Sequence, residues 1–229
     1  MQDYNYIADF ITTHGEASRQ LITASGVLSE KVIAIGNDFE LKPPVSLHSQ
    51  YPRITIATRN WGGLWSNYSS MQDRYDHELT EFISLAEKNK WPVTIKSHPN
   101  GDYHEYYDLL AKRFSNASHV SKGWKPDEFR EKTDILVCVG EMPSLFIEAL
   151  YMQIPIIFIN GTMTKTQKKL NYSCDGLGAV VPGAKAAIQK IKEIINDSEA
   201  LALIFEKQRY VALSYQTKGK PEQNLSEII

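Results

Sequence analysis

Cysteine is scarce in this sequence: Cys138 and Cys174 are the only two among 229 residues. One falls in an apolar run and the other in a polar stretch, so neither a disulfide framework nor a zinc site is suggested. The expected setting is reducing and cytoplasmic. Long apolar runs are also missing, and nothing approaches the roughly 20 residues of a membrane span. The start MQDYNYIADF lacks the basic segment and apolar core of a secretory leader. With no Lys/Arg-rich amphipathic helix either, the expectation is a soluble chain, with peripheral membrane association left open. Charge of one sign is absent, since 25 Lys and Arg stand against 27 Asp and Glu for a net charge of −2. That balance argues against a nucleic-acid partner and confines any phosphate binding to a local site. There is no internal repeat, no Walker sequence, no GxGxxG fingerprint and no Asp-x-Asp at a strand end that would suggest a metal.

What is present is ordinary globular material, 42% hydrophobic and 23% charged, arranged as repeated strand and helix signals. Residues 3–30 run from a short apolar segment through Thr12-Thr13-His14-Gly15 into a helix with Ala17, Leu21 and Ile22 on one face. KVIAIGND then reads as a strand. FELKPPVSLHSQYP carries three prolines without periodicity and reads as a linker that divides the chain near residue 50. Beyond it RITIAT, VTIKS, ASHVS, DILVCV, IPIIFI and GAVV read as strands. Helices are expected over about 70–89, 103–113, from Pro126, 143–152, 184–196 and 199–215, and the tail TKGKPEQNLSEII reads as loose. Alternation at this spacing indicates βαβ units, and hence an α/β fold with a doubly wound parallel sheet over residues 51–229.

Open parallel sheets bind ligands beyond the carboxyl ends of their strands, so the informative residues follow each strand. After RITIAT, Arg59 can fork onto a phosphate, and Gly62 and Gly63 let the backbone approach a ligand; a plain flexible turn is the other reading. After VTIK come His98 and Pro99. His98 suits an anion site and equally suits a structural histidine bonding a neighbouring loop. Trp124, between a strand and a helix begun by Pro126, can stack on a base or cover the sheet edge. GEMPSLFIEAL is the most pointed stretch. Pro143 suits the first helical position, Ser144 can bond a phosphate at a helix N-terminus, and Glu148 lies one turn on with apolar neighbours that call for a partner; a plain helix start with a solvated glutamate is the other reading. The Tyr-rich DYHEYYDLL reads as an amphipathic helix face, and its His104 has no evident metal-binding partners.

A strand followed by Ser97-His98-Pro99, then TDILVCVGEMPSLFIEALYMQIPIIFI, resembles the C-terminal nucleotide-binding domain of GT-B fold glycosyltransferases. The likeness is closest to bacterial surface-polysaccharide enzymes: CDP-glycerol glycerophosphotransferases, sialyl- and polysialyltransferases, and capsule Kdo transferases. It covers roughly residues 51–160, and more loosely 5–40, which is similar to the end of the N-terminal domain in that fold. The resemblance implies a Rossmann-like domain over 51–229 preceded by a remnant of the other domain and a linker over 1–50. It implies His98 and Pro99 as a donor-phosphate pair, Ser144 as a phosphate-binding hydroxyl and Glu148 as the ribose carboxylate. It further implies metal-independent transfer from a CMP- or CDP-linked donor, with UDP as second choice, to a glycan or glycolipid. No cofactor is expected.

In that reading His98 acts as general acid at the leaving phosphate, a contribution on the order of 10² to 10⁴-fold. Only residues 1–50 precede the donor domain, so the expectation is part of a longer enzyme or a subunit that docks to a separate acceptor-binding polypeptide. A nucleotide-sugar epimerase or hydrolase of the same architecture and a non-catalytic nucleotide-binding subunit are the alternatives.

Overall fold

The computed structural model describes residues 11–13, 16–24, 26–34, 39–47, 50–58, 69–98, 103–140, 143, 145–161 and 179–214. The tail expected to be loose lies outside them. The chain divides into two compact units, residues 41–209 in one and the described residues up to 40 with those from 210 in the other. In the smaller unit β1 (Ile11–Thr13) and β2 (Val32–Ala34) pair in parallel, Ile11 opposite Val32, and α1 (Glu16–Ala24) connects them. Arg19 Nε donates to the Val32 carbonyl at 3.0 Å, tying that helix to the second strand.

The larger unit is built on β3 (Ile54–Ala57), β4 (Val93–Lys96), β5 (Ala117–Val120), β6 (Ile135–Val139), β7 (Ile156–Ile159) and β8 (Val180–Val181). They form one parallel sheet in the order β5-β4-β3-β6-β7-β8. Strands β3, β6 and β7 are buried at every position. That explains why ITIA, ILVCV and IIFI show no polar alternation, as expected where helices cover both faces of a parallel sheet. The α/β, Rossmann-like doubly wound architecture is therefore as the sequence predicts.

Helix α2 (Ser69–Lys88) turns Tyr75, Leu79, Phe82, Ile83 and Ala86 inward, a spacing of three and four that makes one apolar stripe. The remaining helices are α3 (His104–Ala111), α4 (Pro126–Lys132), α5 (Leu145–Met152), α6 (Ala184–Asn196) and α7 (Ser198–Ser214). Helix α6 buries Ala184, Ala187, Ile188, Ile191 and Ile194 against the same core as α2. Glu78 of α2 also accepts the Ala184 amide at 2.7 Å, satisfying a donor at the start of α6.

Helices α2 and α5 both end in a Schellman closure. The Trp91 amide donates to the Ala86 carbonyl and the Ile154 amide to that of Ala149. The left-handed positions are Lys90 (φ 60°) and Gln153 (φ 51°), where glycine is the usual choice. Part of the proline-bearing linker is ordered on the larger unit: the Lys42 amide donates to the Tyr151 carbonyl at 2.8 Å and that of Val45 to Gln153 at 3.2 Å.

Candidate functional site

The strand order places a switch point between β3 and β6, where crossovers leave in opposite directions and a crevice opens at the carboxyl edge. Several ladder bonds run one residue past the strands. Thr58 N–H donates to the Lys96 carbonyl, Ser97 N–H to Val120 and Gly140 N–H to Ile159. Gly140 (φ 72°) then turns the chain away from β6 toward α5. These extensions hold the strand ends around a cleft of about 340 Å³, lined by Ala57 and Thr58 at the end of β3, Lys96 to His98 at the end of β4, Gly123 and Trp124 after β5, and Pro143, Leu145 and Glu148 at the start of α5.

Of the residues singled out from sequence, His98, Trp124 and Glu148 meet in this cleft. Arg59, Gly62, Gly63, Pro99 and Ser144 lie outside the described residues. His98 is exposed at the rim. Trp124 is half-buried, with one neighbour already stacked on it: Phe129 lies 6.2 Å away at 25°. Lys96 Nζ and Lys132 Nζ stand 5.9 Å and 5.5 Å from the Trp124 ring centre. The ring thus lines the cleft while Phe129 packs against it.

Lys96 was not legible as a site residue and is the strongest electrostatic feature of the cleft. It is 7% exposed, and Nζ donates to the Ser97 carbonyl at 2.9 Å. Burial pushes its pKa below the usual lysine value, opposed by attraction to Glu148. Burial likewise pushes the Glu148 carboxyl up, opposed by Lys96. Among the described residues the Thr58 hydroxyl, buried at 4% exposure, has no hydrogen-bond partner. A cation, a carboxylate and a hydroxyl with unused bonding capacity around one cleft are suited to an anionic, hydroxyl-bearing ligand. No group of three or more His, Cys, Asp or Glu among the described residues is placed to hold a metal ion.

The Glu148 environment makes a testable conflict between stability and binding. Its pKa is raised in the fold, so its stabilising state is the protonated one, present below the unfolded carboxyl pKa and lost as pH rises through the folded value. At neutral pH the buried charge costs stability. Glu148→Gln is therefore expected to raise the melting temperature of the ligand-free chain at pH 7 and to lose that advantage at pH 4. A thermal melt at both pH values checks it, and a lower melting temperature at pH 7 would refute it.

No family model matches the chain, and no curated protein matches it in sequence. Solved structures do match. HepE of Anabaena in complex with UDP-glucose superposes with a TM-score of 0.60 at 10% identity, covering 98% of this chain and 65% of that one. The calicheamicin glycosyltransferase CalG4 gives 0.57 at 13%, covering 98% and 54%. The UDP-GlcNAc 2-epimerase from Neisseria meningitidis, bound to UDP-GlcNAc, gives 0.54 at 12%, covering 98% and 62%. The chain thus spans less than two thirds of the length of each. At these identities the likeness is one of fold alone, an α/β fold with a six-stranded parallel sheet and flanking helices that this chain shares with part of each. Among the described residues no helix is long and apolar enough to cross a membrane.

Proposed function

We propose that residues 51–229 bind the nucleotide part of an activated donor, as the donor half of a GT-B glycosyltransferase or glycerophosphotransferase of bacterial surface polysaccharide synthesis. The observation that carries this reading is the convergence of Lys96, His98, Trp124 and Glu148 in one cleft at the topological switch point. Lys96 and His98 take the phosphate charge, Glu148 accepts from the two ribose hydroxyls, and Trp124 offers an aromatic surface to the base. Group transfer leaves a nucleotide phosphate with added negative charge, which Lys96 neutralises without a metal while His98 can donate a proton. Arg59, Gly62, Gly63, Pro99 and Ser144 belong to the same proposal as phosphate contacts. The acceptor is a glycan or glycolipid, held by a further domain or a separate polypeptide at the cytoplasmic side of a membrane. Residues 1–50 are, in this reading, the end of a first GT-B domain and a linker.

On the base, the sequence resemblance favours CMP or CDP, while HepE and the Neisseria enzyme hold UDP-linked sugars. Calorimetric titration with CMP, CDP, UDP and GDP, with and without EDTA, tests the whole reading. A pyrimidine nucleotide is expected to bind more tightly than GDP, with affinity unchanged by the chelator. Failure to bind any of the four, or a large loss on chelation, would overturn it. The likeness to the 2-epimerase supports a second reading, turnover of a nucleotide sugar by this chain alone. Incubation with UDP-GlcNAc separates them: epimerised or hydrolysed sugar favours the second reading, and binding without turnover favours a donor-binding part.

A further inference from the structure

Behind the cleft lies a run of hydrogen bonds that the nucleotide reading does not use. Ser97 is the first residue beyond β4 and is 2% exposed. Its hydroxyl meets two imidazoles, His119 Nε2 of β5 at 2.8 Å and His104 Nδ1 of α3 at 2.9 Å. The other nitrogen of His119, Nδ1, lies 2.6 Å from Asp108 Oδ1 of α3. These groups are far apart in sequence and meet because β4 and β5 pair with Ile95 opposite His119.

Donor accounting gives the chain a direction. Asp108 is held below the usual carboxylate range, chiefly by its hydrogen bond with His119, so it is an acceptor only and His119 Nδ1 carries the hydrogen. In a neutral ring Nε2 is then an acceptor, and the Ser97 hydroxyl donates to it. With that hydrogen used, Ser97 Oγ accepts from His104 Nδ1–H. The Ser97 amide donates to Val120 and its carbonyl accepts from Lys96 Nζ, so every polar group of Ser97 is fixed. Its two sequence neighbours, Lys96 and His98, are the basic residues of the cleft. The connectivity also matches that of a serine nucleophile, but Ser97 is buried and its oxygen is already hydrogen-bonded to a second imidazole.

We propose that Asp108, His119 and Ser97 are positioning residues: they lock the first peptide beyond β4 and so aim Lys96 and His98 at the ligand phosphate. This rests on the nucleotide reading of the cleft. Asp108 is the informative position, because its side chain is 57% exposed and does not line the cleft, so Asp108→Ala should leave the fold intact. Asp108→Asn keeps a carbonyl oxygen to accept the His119 Nδ1–H.

The test combines imidazole ¹⁵N shifts with UDP titration on the full chain and both variants. The parent should show His119 protonated at Nδ1. Asp108→Ala should shift that tautomer and weaken UDP about 10-fold, the lower end of the scale for losing a residue that orients a ligand-contacting group. Asp108→Asn should keep both properties. His119 protonated at Nε2 in the parent overturns the inference, as does an Asp108→Ala chain whose tautomer changes but whose UDP affinity does not. A parent with the Nδ1 tautomer that takes up no nucleotide overturns the nucleotide reading and the aiming role together, with the lock itself left standing, a failure distinct from either of the others.

Discussion

Replacing Lys96 with methionine is expected to weaken UDP and CDP binding about 10- to 150-fold, the equivalent of roughly 1.5–3 kcal/mol for one charge-assisted hydrogen bond. The size follows from the setting of the ammonium. It is buried at the end of an inner strand, where it donates to the Ser97 carbonyl, is attracted by the Glu148 carboxylate and has two further hydrogens to give. A phosphate entering the cleft supplies the missing acceptors, and the low exposure of Lys96 means little of the attraction is lost to solvent screening. Methionine keeps most of the stem volume and removes only the charge. Because the ammonium sees phosphate and not base, UDP and CDP should lose affinity by the same factor. Calorimetry on parent and variant decides it: affinities within twofold of each other, or a loss confined to one base, would remove Lys96 from the phosphate site.

The strand ends were the legible part of this site, and their legibility has a physical basis. A strand signal marks the carboxyl edge whether it is an unbroken apolar run such as ILVCV or a broken one such as VTIK, and the residues that follow such signals led to His98, Trp124 and Glu148. Lys96 escaped because it sits inside the strand VTIK rather than after it. The signal was there in principle, since a lysine closing an inner strand of a parallel sheet lies where helices cover both faces. The Ser97, His119 and Asp108 lock escaped for another reason. Its members are 11 and 22 residues apart, and their meeting depends on the register of β4 against β5, which no local pattern encodes. Trp124 shows the limit of choosing between roles by position, because a ring with Phe129 packed on it and the cleft beside it is compatible with both.

Gln208→Leu is expected to cost about 2–5 kcal/mol of stability, from two buried backbone groups left unpaired at roughly 1–3 kcal/mol each. Gln208 of α7 is 0% exposed; its Oε1 accepts the Ile156 amide at 2.8 Å and its Nε2 donates to the Ile154 carbonyl at 2.8 Å. Those two groups face the side of β7 on which β8 pairs. But β8 is two residues long and reaches only Phe158 and Ile159, and the ladder bond from Phe158 to Ala179 is the last before Gln208 takes over. One amide side chain thus stands in for the missing strand, and leucine fills the volume without either bond. A urea midpoint shifted by less than 1 kcal/mol equivalent, at unchanged slope, would show that the groups find other partners. Gln208→Glu sharpens the test, because a protonated carboxyl can both accept from Ile156 and donate to Ile154, whereas a carboxylate meets the Ile154 carbonyl with no hydrogen to give. The folded-state pKa of that glutamate should therefore rise above the ordinary value near 4.3. Its stabilising contribution should be present below that value and lost as pH rises through the folded one, so the Gln208→Glu chain should recover toward the parent on acidification while Gln208→Leu does not.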